Sequence, residues 1–372
     1  MSHGRYKCAP GVPACTPQRV RTLCTPLVKP AAVLWAWFSF CLRLGRTLIV
    51  TFSLNQIVAA VGLIAVSSTV AAADSSVNVY GRIDTAIESI KTANTRVNGV
   101  NNSGSYFGFK GEEALGNGMK AGFVLESGFD ADTGANSDAS SYFNNRSEVF
   151  LESSFGTLRM GRFLNPSYYA VADRASLHNE DYGITADALY VYQGNDANRI
   201  AYKSPVFMGL SVESSVSLHE RANGNSTDKN AYDLAANYER GNWSLGAGYG
   251  EKADDKQYAL RASWTGGDWT LSGYHQRAEH VVNGLTEKTN VTRAAVAYAI
   301  GAGEIHANFG HANGEGQAAA NQWTVGYNYH LSKRTKVYAF YSQLQNKDGG
   351  TFGKLQQDED RKSVSVGIRH HF

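Results

Sequence analysis

The chain has 372 residues, 18% of them charged and 43% hydrophobic, with a formal net charge of +2. That average mixes two unlike polymers: all four cysteines, five of the seven prolines and seven of the 35 Lys/Arg precede residue 74, whereas none of the 33 Asp/Glu does. The remainder carries 28 bases against 33 acids and no cysteine, which excludes a disulfide framework and a thiolate metal site and argues against a nucleic-acid partner.

In chain order, the first feature is an apolar run over residues 57–66, followed by small residues and Ala71-Ala72-Ala73. This is the pattern of a secretory signal peptide with cleavage ahead of Asp74. A run of about ten residues is too short to span a bilayer as a helix, which needs roughly 20. A second apolar patch at 31–42 lies where a signal peptide needs none. A mis-called start codon would account for it, and since the first internal methionine is Met119, a true start would be a non-ATG codon. The expected division is a leader over 1–73 and an exported domain over 74–372.

From residue 76 the dominant period is two. "VNVYGRID" sets Val77, Val79, Gly81 and Ile83 on one face and Asn78, Tyr80, Arg82 and Asp84 on the other. "KAGFVLE" (120–126) alternates likewise, as do 147–151, 210–218, 232–238, 243–249, 258–264, 269–274, 291–298, 305–309, 323–329, 337–341 and 363–372. No stretch sustains a 3.6 period, so the expectation is all-β. Tight turns at 115–118, 154–157, 206–209, 240–242, 265–268, 300–303 and 331–334 alternate with long polar connections at 91–104, 130–141, 163–196, 220–229, 278–289, 312–320 and 346–361. Short connections at one end and long ones at the other describe an antiparallel up-and-down meander, expected here to have sixteen strands.

Alternation alone does not say whether the apolar face meets a core or lipid. Sixteen strands make an awkward soluble sheet, and Tyr or Trp recurs at strand ends (Tyr249, Trp264, Trp269, Tyr274, Tyr298, Trp323, Tyr329, Tyr338, Tyr341), as in an interfacial girdle. A membrane barrel must pair every backbone group, so the last strand, "SVSVGIRHHF", is expected to close on the first around residues 77–83. Val364, Val366 and Ile368 then face lipid, and Arg369 and His371 face water.

Several motifs point away from catalysis and metal binding. His275/His280 and His306/His311 are five residues apart, which puts each pair on opposite faces of a strand. "GAGYGE" (246–251) opens no helix, so its glycines read as clearance beside bulky neighbours rather than a phosphate loop. No G-x-S-x-G or Ser/His constellation suggests an enzyme, and no cofactor is expected.

The segments "SSVNVYGRIDTAIES", "SYFGFKGEEALGNGMKAGFVLESGFDADTG", "FNNRSEVFLESSFGTLRMGRFLNPSYY", "NRIAYKSPVFMGLSVESSVS" and the terminal "VGIRHHF" resemble the Gram-negative general porins, in particular the betaproteobacterial branch, over residues 75–372. The resemblance implies a homotrimer of sixteen-stranded transmembrane barrels in the outer membrane, a passive diffusion channel for small hydrophilic solutes and ions. It also implies outer-membrane lipid and lipopolysaccharide as surroundings. In that family the loop after the fifth strand folds into the lumen opposite a basic wall. Carried over residue by residue, the wall comprises Arg82 and Arg146, with Arg199, Lys110 and Lys120 as further cations. Tyr106 stands in "SYFGFKGEE" where the family commonly has arginine, a departure expected to weaken anion preference. The constricting loop is 165–195, with Asp173, Glu180, Asp181 and Asp187 as candidate acids. Phe372 resembles the terminal signal read by the outer-membrane assembly machinery. A substrate-specific channel for a sugar or organic acid shares most of these features and would show saturable block, while an adhesin would bind through its loops without current.

Overall fold

The computed structural model describes residues 75–175, 183–192, 196–219, 229–282, 284–314 and 318–372. Seventeen strand segments form one antiparallel sheet. They are β1 (Ser75–Thr92), β2 (Thr95–Asn102), β3 (Ser105–Gly116), β4 (Met119–Phe129), β5 (Arg146–Ser153), β6 (Gly156–Arg162), β7 (Arg199–Lys203), β8 (Leu210–Ser217) and β9 (Ala231–Arg240). The series continues with β10 (Trp243–Lys252), β11 (Asp255–Gly266), β12 (Trp269–Val282), β13 (Leu285–Ile300), β14 (Gly303–Gly314), β15 (Ala319–His330), β16 (Thr335–Lys347) and β17 (Arg361–His371). These segments amount to sixteen barrel strands, because β2 and β3 are halves of one strand. β1 pairs with β2 as far as Thr85↔Asn102 and resumes with β3 at Arg82↔Tyr106, across a bend at Ser103 and Gly104.

The chain end closes the cylinder. β17 pairs with β1 from Arg82↔His371 to Thr92↔Arg361, and Gly81 and Phe372 exchange both backbone hydrogen bonds at 3.1 Å. The Phe372 ring lies on Gly81, where a Cβ would come within 2.5 Å of it. The partner of β17 is thus 81–92 rather than the expected 77–83, and 75–80 pair with β3 alone. Alternation decides which face a strand presents, but a slide by an even number of residues leaves the faces unchanged. The seam is held from inside by Asp84, whose carboxylate takes a charge-assisted bond from Arg369 Nε and a bond from the Tyr338 hydroxyl at 2.7 Å. Its own N–H donates to Ser105 Oγ at 2.9 Å. Arg369 therefore lies on the lumenal side as alternation requires, yet it is 1% exposed and ion-paired instead of facing water.

The partition is inverted relative to a soluble protein. Ile87 is 71% exposed, and Val77, Val79, Leu234, Leu260, Val364 and Val366 are likewise outward. Asp84, Gln257, Gln276 and Gln322 are completely enclosed, and Arg82 and Arg293 nearly so. An outward apolar belt is stable only if the solvent it meets is hydrocarbon. Aromatic pairs border the belt: Trp269–Tyr298 (ring centroids 4.5 Å apart), Trp323–Tyr341 (4.9 Å) and Tyr249–Tyr258 (5.2 Å). Two residues expected in the girdle, Tyr274 and Tyr338, are instead buried on the inner face. Both occupy inward registers, where carboxylates accept their hydroxyls.

Three of the expected long connections, 91–104, 278–289 and 312–320, largely continue as paired strand, giving the β1/β2, β12/β13 and β14/β15 hairpins. Their polar composition signals departure from lipid, not loss of backbone pairing. Gly81→Val is expected to prevent closure by striking the Phe372 ring. On unheated denaturing gels the variant should give only the unfolded band, and the compact mobility of the native barrel would refute this.

Candidate functional site

The connection between β6 and β7 turns into the barrel. It contains α1 (Pro166–Ala170), α2 (Ala172–Ala175) and a 3-10 turn at Gly183–Thr185. Pro166 suits the first turn of α1 because that position has no intrahelical acceptor for an N–H. One side of the loop is small and apolar: Ala170, Val171, Ala175 and Leu189 pack on Ala235, Ala259, Val291, Ala312, Ala320 and Leu344 of the inner wall. Two glycines of "GAGYGE" belong to this seat. A Cβ on Gly246 would stand 2.1 Å from the Ala170 carbonyl oxygen, and one on Gly248 2.8 Å from Ser167 Cβ.

Polar side chains of the wall then capture the loop backbone. Gln276 accepts from the Val191 N–H at 2.8 Å and donates to its carbonyl at 2.7 Å. Gln322 treats Ala188 N–H (3.0 Å) and Ala186 C=O (2.8 Å) in the same way. Each primary amide thus serves as a strand partner for a backbone that would otherwise be buried unpaired. Asp233 accepts from the Ser167 N–H at 2.8 Å and from its hydroxyl, and Arg261 Nε donates to Ala170 O at 2.7 Å. Asp187 is enclosed in an ion pair with Arg293 at 2.7 Å and accepts the Tyr274 hydroxyl.

The opposite side of the loop carries tyrosines. Tyr168 meets Tyr169, Tyr190 and Tyr192 edge to face, with centroids 6.1, 5.6 and 5.6 Å away. Tyr169 and Tyr192 are 39% and 36% exposed. The Tyr192 hydroxyl donates to Asp196 and accepts from the Asn165 N–H. Burial and the neighbouring Asp196 carboxylate raise its pKa, so it stays neutral.

On the wall of β5 to β8, acids and bases alternate across strands: Arg146 bonds Glu148, and Arg159 reaches Glu148 at 3.7 Å and Glu213 at 2.9 Å. The Glu148 side chain is fully enclosed, whereas that of Arg146 is 35% exposed. Arg159 in turn lies 4.1 Å over the Phe163 ring at the root of the loop. Tyr80 donates to Glu126 at 2.9 Å.

The residues singled out in the sequence occupy different environments. Arg146 alone among the three arginines presents substantial surface to the lumen. Arg82 is 2% exposed, donates from Nε and Nη2 to the Gly104 carbonyl (3.0 and 2.6 Å), and is covered by the Tyr106 ring 5.0 Å away. Arg199 is buried at the foot of the loop, bonded to Asn165 and to Ser215 at 3.2 Å. Lys110 and Lys120 are exposed on the inner face, Lys110 over the Tyr80 ring at 5.1 Å and Lys120 3.9 Å from Glu112. Asp173 is on α2 and half-buried, Asp187 is a tether to Arg293, and Glu180 and Asp181 lie outside the described residues. Gln276, Gln322, Arg261, Arg293 and the tyrosine cluster were not anticipated. The available signal was long polar side chains set between small or apolar ones on an inward row, as in Gln257-Ala259-Arg261-Ser263 and Val291-Arg293-Ala295-Ala297. Such a row implies that something covers it.

A family model described as Gram-negative porin matches residues 59–349. Outer membrane porin protein 32 of Delftia acidovorans is 28% identical over 353 residues, covering 82% of this chain and 97% of that one. Major outer membrane protein P.IB of Neisseria meningitidis serogroup A is 25% identical over 332 residues, covering 81% and 95%. Among solved structures, the anion-selective porin from Comamonas acidovorans shares 29% identity with a TM-score of 0.72, covering 80% of this chain and all of that one. OmpF of Salmonella typhi, at 14% identity and a TM-score of 0.59 over 80% of this chain and 97% of that one, shares the fold.

Replacing both Gln276 and Gln322 by Ala removes the two amide clamps, at about 1 kcal/mol per hydrogen bond lost. Proteolysis within 163–198 and single-channel current noise should both rise. If neither changes, the apolar seat alone fixes the loop.

Proposed function

The chain belongs to the Gram-negative porin family, and is thus an outer-membrane channel for diffusion of small hydrophilic solutes and ions; from this premise we propose that its selectivity is set where the inward loop faces Arg146. The observation that carries this reading is the contrast in exposure among the lumenal arginines. On the inner wall Arg82, Arg199, Arg261, Arg293 and Arg369 are buried and Arg159 keeps 17% of its side chain accessible, whereas Arg146 keeps a third; Arg174 of the loop is also exposed but is paired with Glu239. A permeating ion feels an exposed charge at about 1 kcal/mol through water at 4 Å, rising to about 4 kcal/mol where the walls lower the effective dielectric constant to about 20. Buried charges already held by carboxylates, backbone carbonyls or polar side chains add little.

Lys110 and Lys120 extend the positive surface of the inner wall, and Asp173, Glu180 and Asp181 supply negative charge from the loop. Fixed charges of both signs facing a narrow aqueous path orient dipolar solutes and filter ions. Tyr106 in place of an arginine leaves Arg146 with less help, and Glu148 and Glu213 offset Arg146 and Arg159. The expected preference for anions is accordingly modest. Passage needs no energy source, since a sixteen-stranded barrel holds water.

The same reading includes removal of the leader ahead of Asp74, a homotrimer in a bilayer containing lipopolysaccharide, and Phe372 as the residue read by the assembly machinery.

Refolded residues 74–372 in planar bilayers should give stepwise currents, and their absence would overturn the reading. In a salt gradient, Arg146→Gln should lower the anion-to-cation permeability ratio by about two- to fivefold, and Tyr106→Arg should raise it. An unchanged ratio in both would remove the eyelet from this position. Deleting Phe372 should reduce the amount of barrel in the outer membrane more than the conductance of the barrels that do assemble. Normal assembly of the truncated chain would exclude the signal role.

A further inference from the structure

The described part of the loop presents the lumen with phenol rings, and this has a chemical consequence beyond ion filtering. In α1, Ser167 and Ala170 are buried against the wall, so the intervening Tyr168 and Tyr169 project the other way. Tyr192 joins them from the returning limb of the loop, and edge-to-face contacts hold the three as one cluster. Their backbone is fixed by the two glutamine clamps, Asp233 and Arg261, so the rings stand on a seated platform.

The exposed Arg146 stands on the wall that meets the foot of this loop: it bonds Glu148, which Arg159 approaches at 3.7 Å, and Arg159 lies 4.1 Å over the Phe163 ring, two residues before Asn165, whose N–H bonds the Tyr192 hydroxyl. Arg146 points Nε and Nη2 at Glu148, which is itself sealed from solvent, so the accessible surface of that pair belongs to Arg146. A ring system beside a cation matches a planar solute bearing both an aromatic ring and a negative charge. Aromatic rings favour edge-to-face and offset contacts beyond the area they bury, and a guanidinium binds a carboxylate through charge-assisted hydrogen bonds.

We infer that the constriction is a transit subsite for aromatic carboxylates, with the solute ring carried on Tyr168, Tyr169 and Tyr192 and its carboxylate held at Arg146. Occupancy is brief and reversible, and the solute is slowed rather than trapped. Aromatic acids therefore compete with small ions for the eyelet at concentrations where saturated acids of the same size do not. This inference rests on the porin reading, and it fails separately from it.

The test uses the full assembled channel in planar bilayers with KCl, whose stepwise current reports the pore independently of the subsite. Benzoate, cyclohexanecarboxylate and benzylammonium are added in turn and the concentration halving the current is measured. Benzoate is expected to block at a concentration about three- to tenfold lower than cyclohexanecarboxylate, the range for one aromatic contact, and benzylammonium should block least. Tyr168→Leu with Tyr169→Leu should bring benzoate and cyclohexanecarboxylate together. Tyr169→Phe should keep them apart, and Arg146→Gln should erase the advantage of benzoate over benzylammonium while leaving that of ring over saturated ring. Equal block by benzoate and cyclohexanecarboxylate in the unmodified channel overturns the inference without recourse to any variant. So does a benzoate preference that survives the double leucine variant.

Discussion

Everything in this protein depends on closing the sheet. A strand in hydrocarbon has no water to satisfy its N–H and C=O groups, so the first and last strands must find each other or the outward apolar belt cannot enter lipid at all. The pairing of β1 with β17, finished by the reciprocal bonds of Gly81 and Phe372, meets that requirement. The buried Asp84–Arg369–Tyr338 group sits on the inner side of the same seam. It joins β1, β16 and β17 where only backbone bonds would otherwise hold the cylinder shut. A buried ion pair adds little net stability, but losing one partner is costly, which makes such a group better suited to specifying a register than to strengthening it.

Closure makes an interior, and the interior is divided by function. Between β9 and β16 the wall is small and apolar, interrupted by Gln276, Gln322, Arg261 and Arg293, and it serves as a seat for the loop. From β3 to β8 it carries charged side chains that remain partly accessible, with Arg146, Lys110 and Lys120 among them. The loop is therefore a wedge with one face made for protein and the other for solute. Burying a whole segment inside a water-filled tube is possible only because its backbone groups are taken up by amides and arginines of the wall.

How much of this was legible in the sequence differs between the elements. The period of two, the acidic cysteine-free exported region and the aromatic strand ends indicated a sixteen-stranded membrane barrel, and the loop between β6 and β7 was located to within a few residues. Arg146 was assigned to the inner face by the resemblance, with which alternation agrees, and Lys110 by alternation; the register of β3 to β6 puts both side chains on that face. Tyr274 and Tyr338 show the limit of the same logic, since an aromatic near a strand end reads as girdle until the register reveals a carboxylate within reach of its hydroxyl. Asp187 shows it too: as a loop acid it read as a wall-facing charge for the pore, and only the fold brings Arg293, 106 residues away, into contact with it.

By itself the sequence determined the periodicity, and with it the class of fold, the faces of the strands and the solvent each face requires. It also determined the turn positions, because glycine and asparagine there meet local backbone demands that need no distant partner. Only the tertiary structure decided the slide of β17 along β1, the choice of which arginines are buried and which are open, and the presentation of tyrosines by the loop. Those depend on side chains brought together from opposite walls of a closed cylinder, and no local pattern encodes a separation across a lumen.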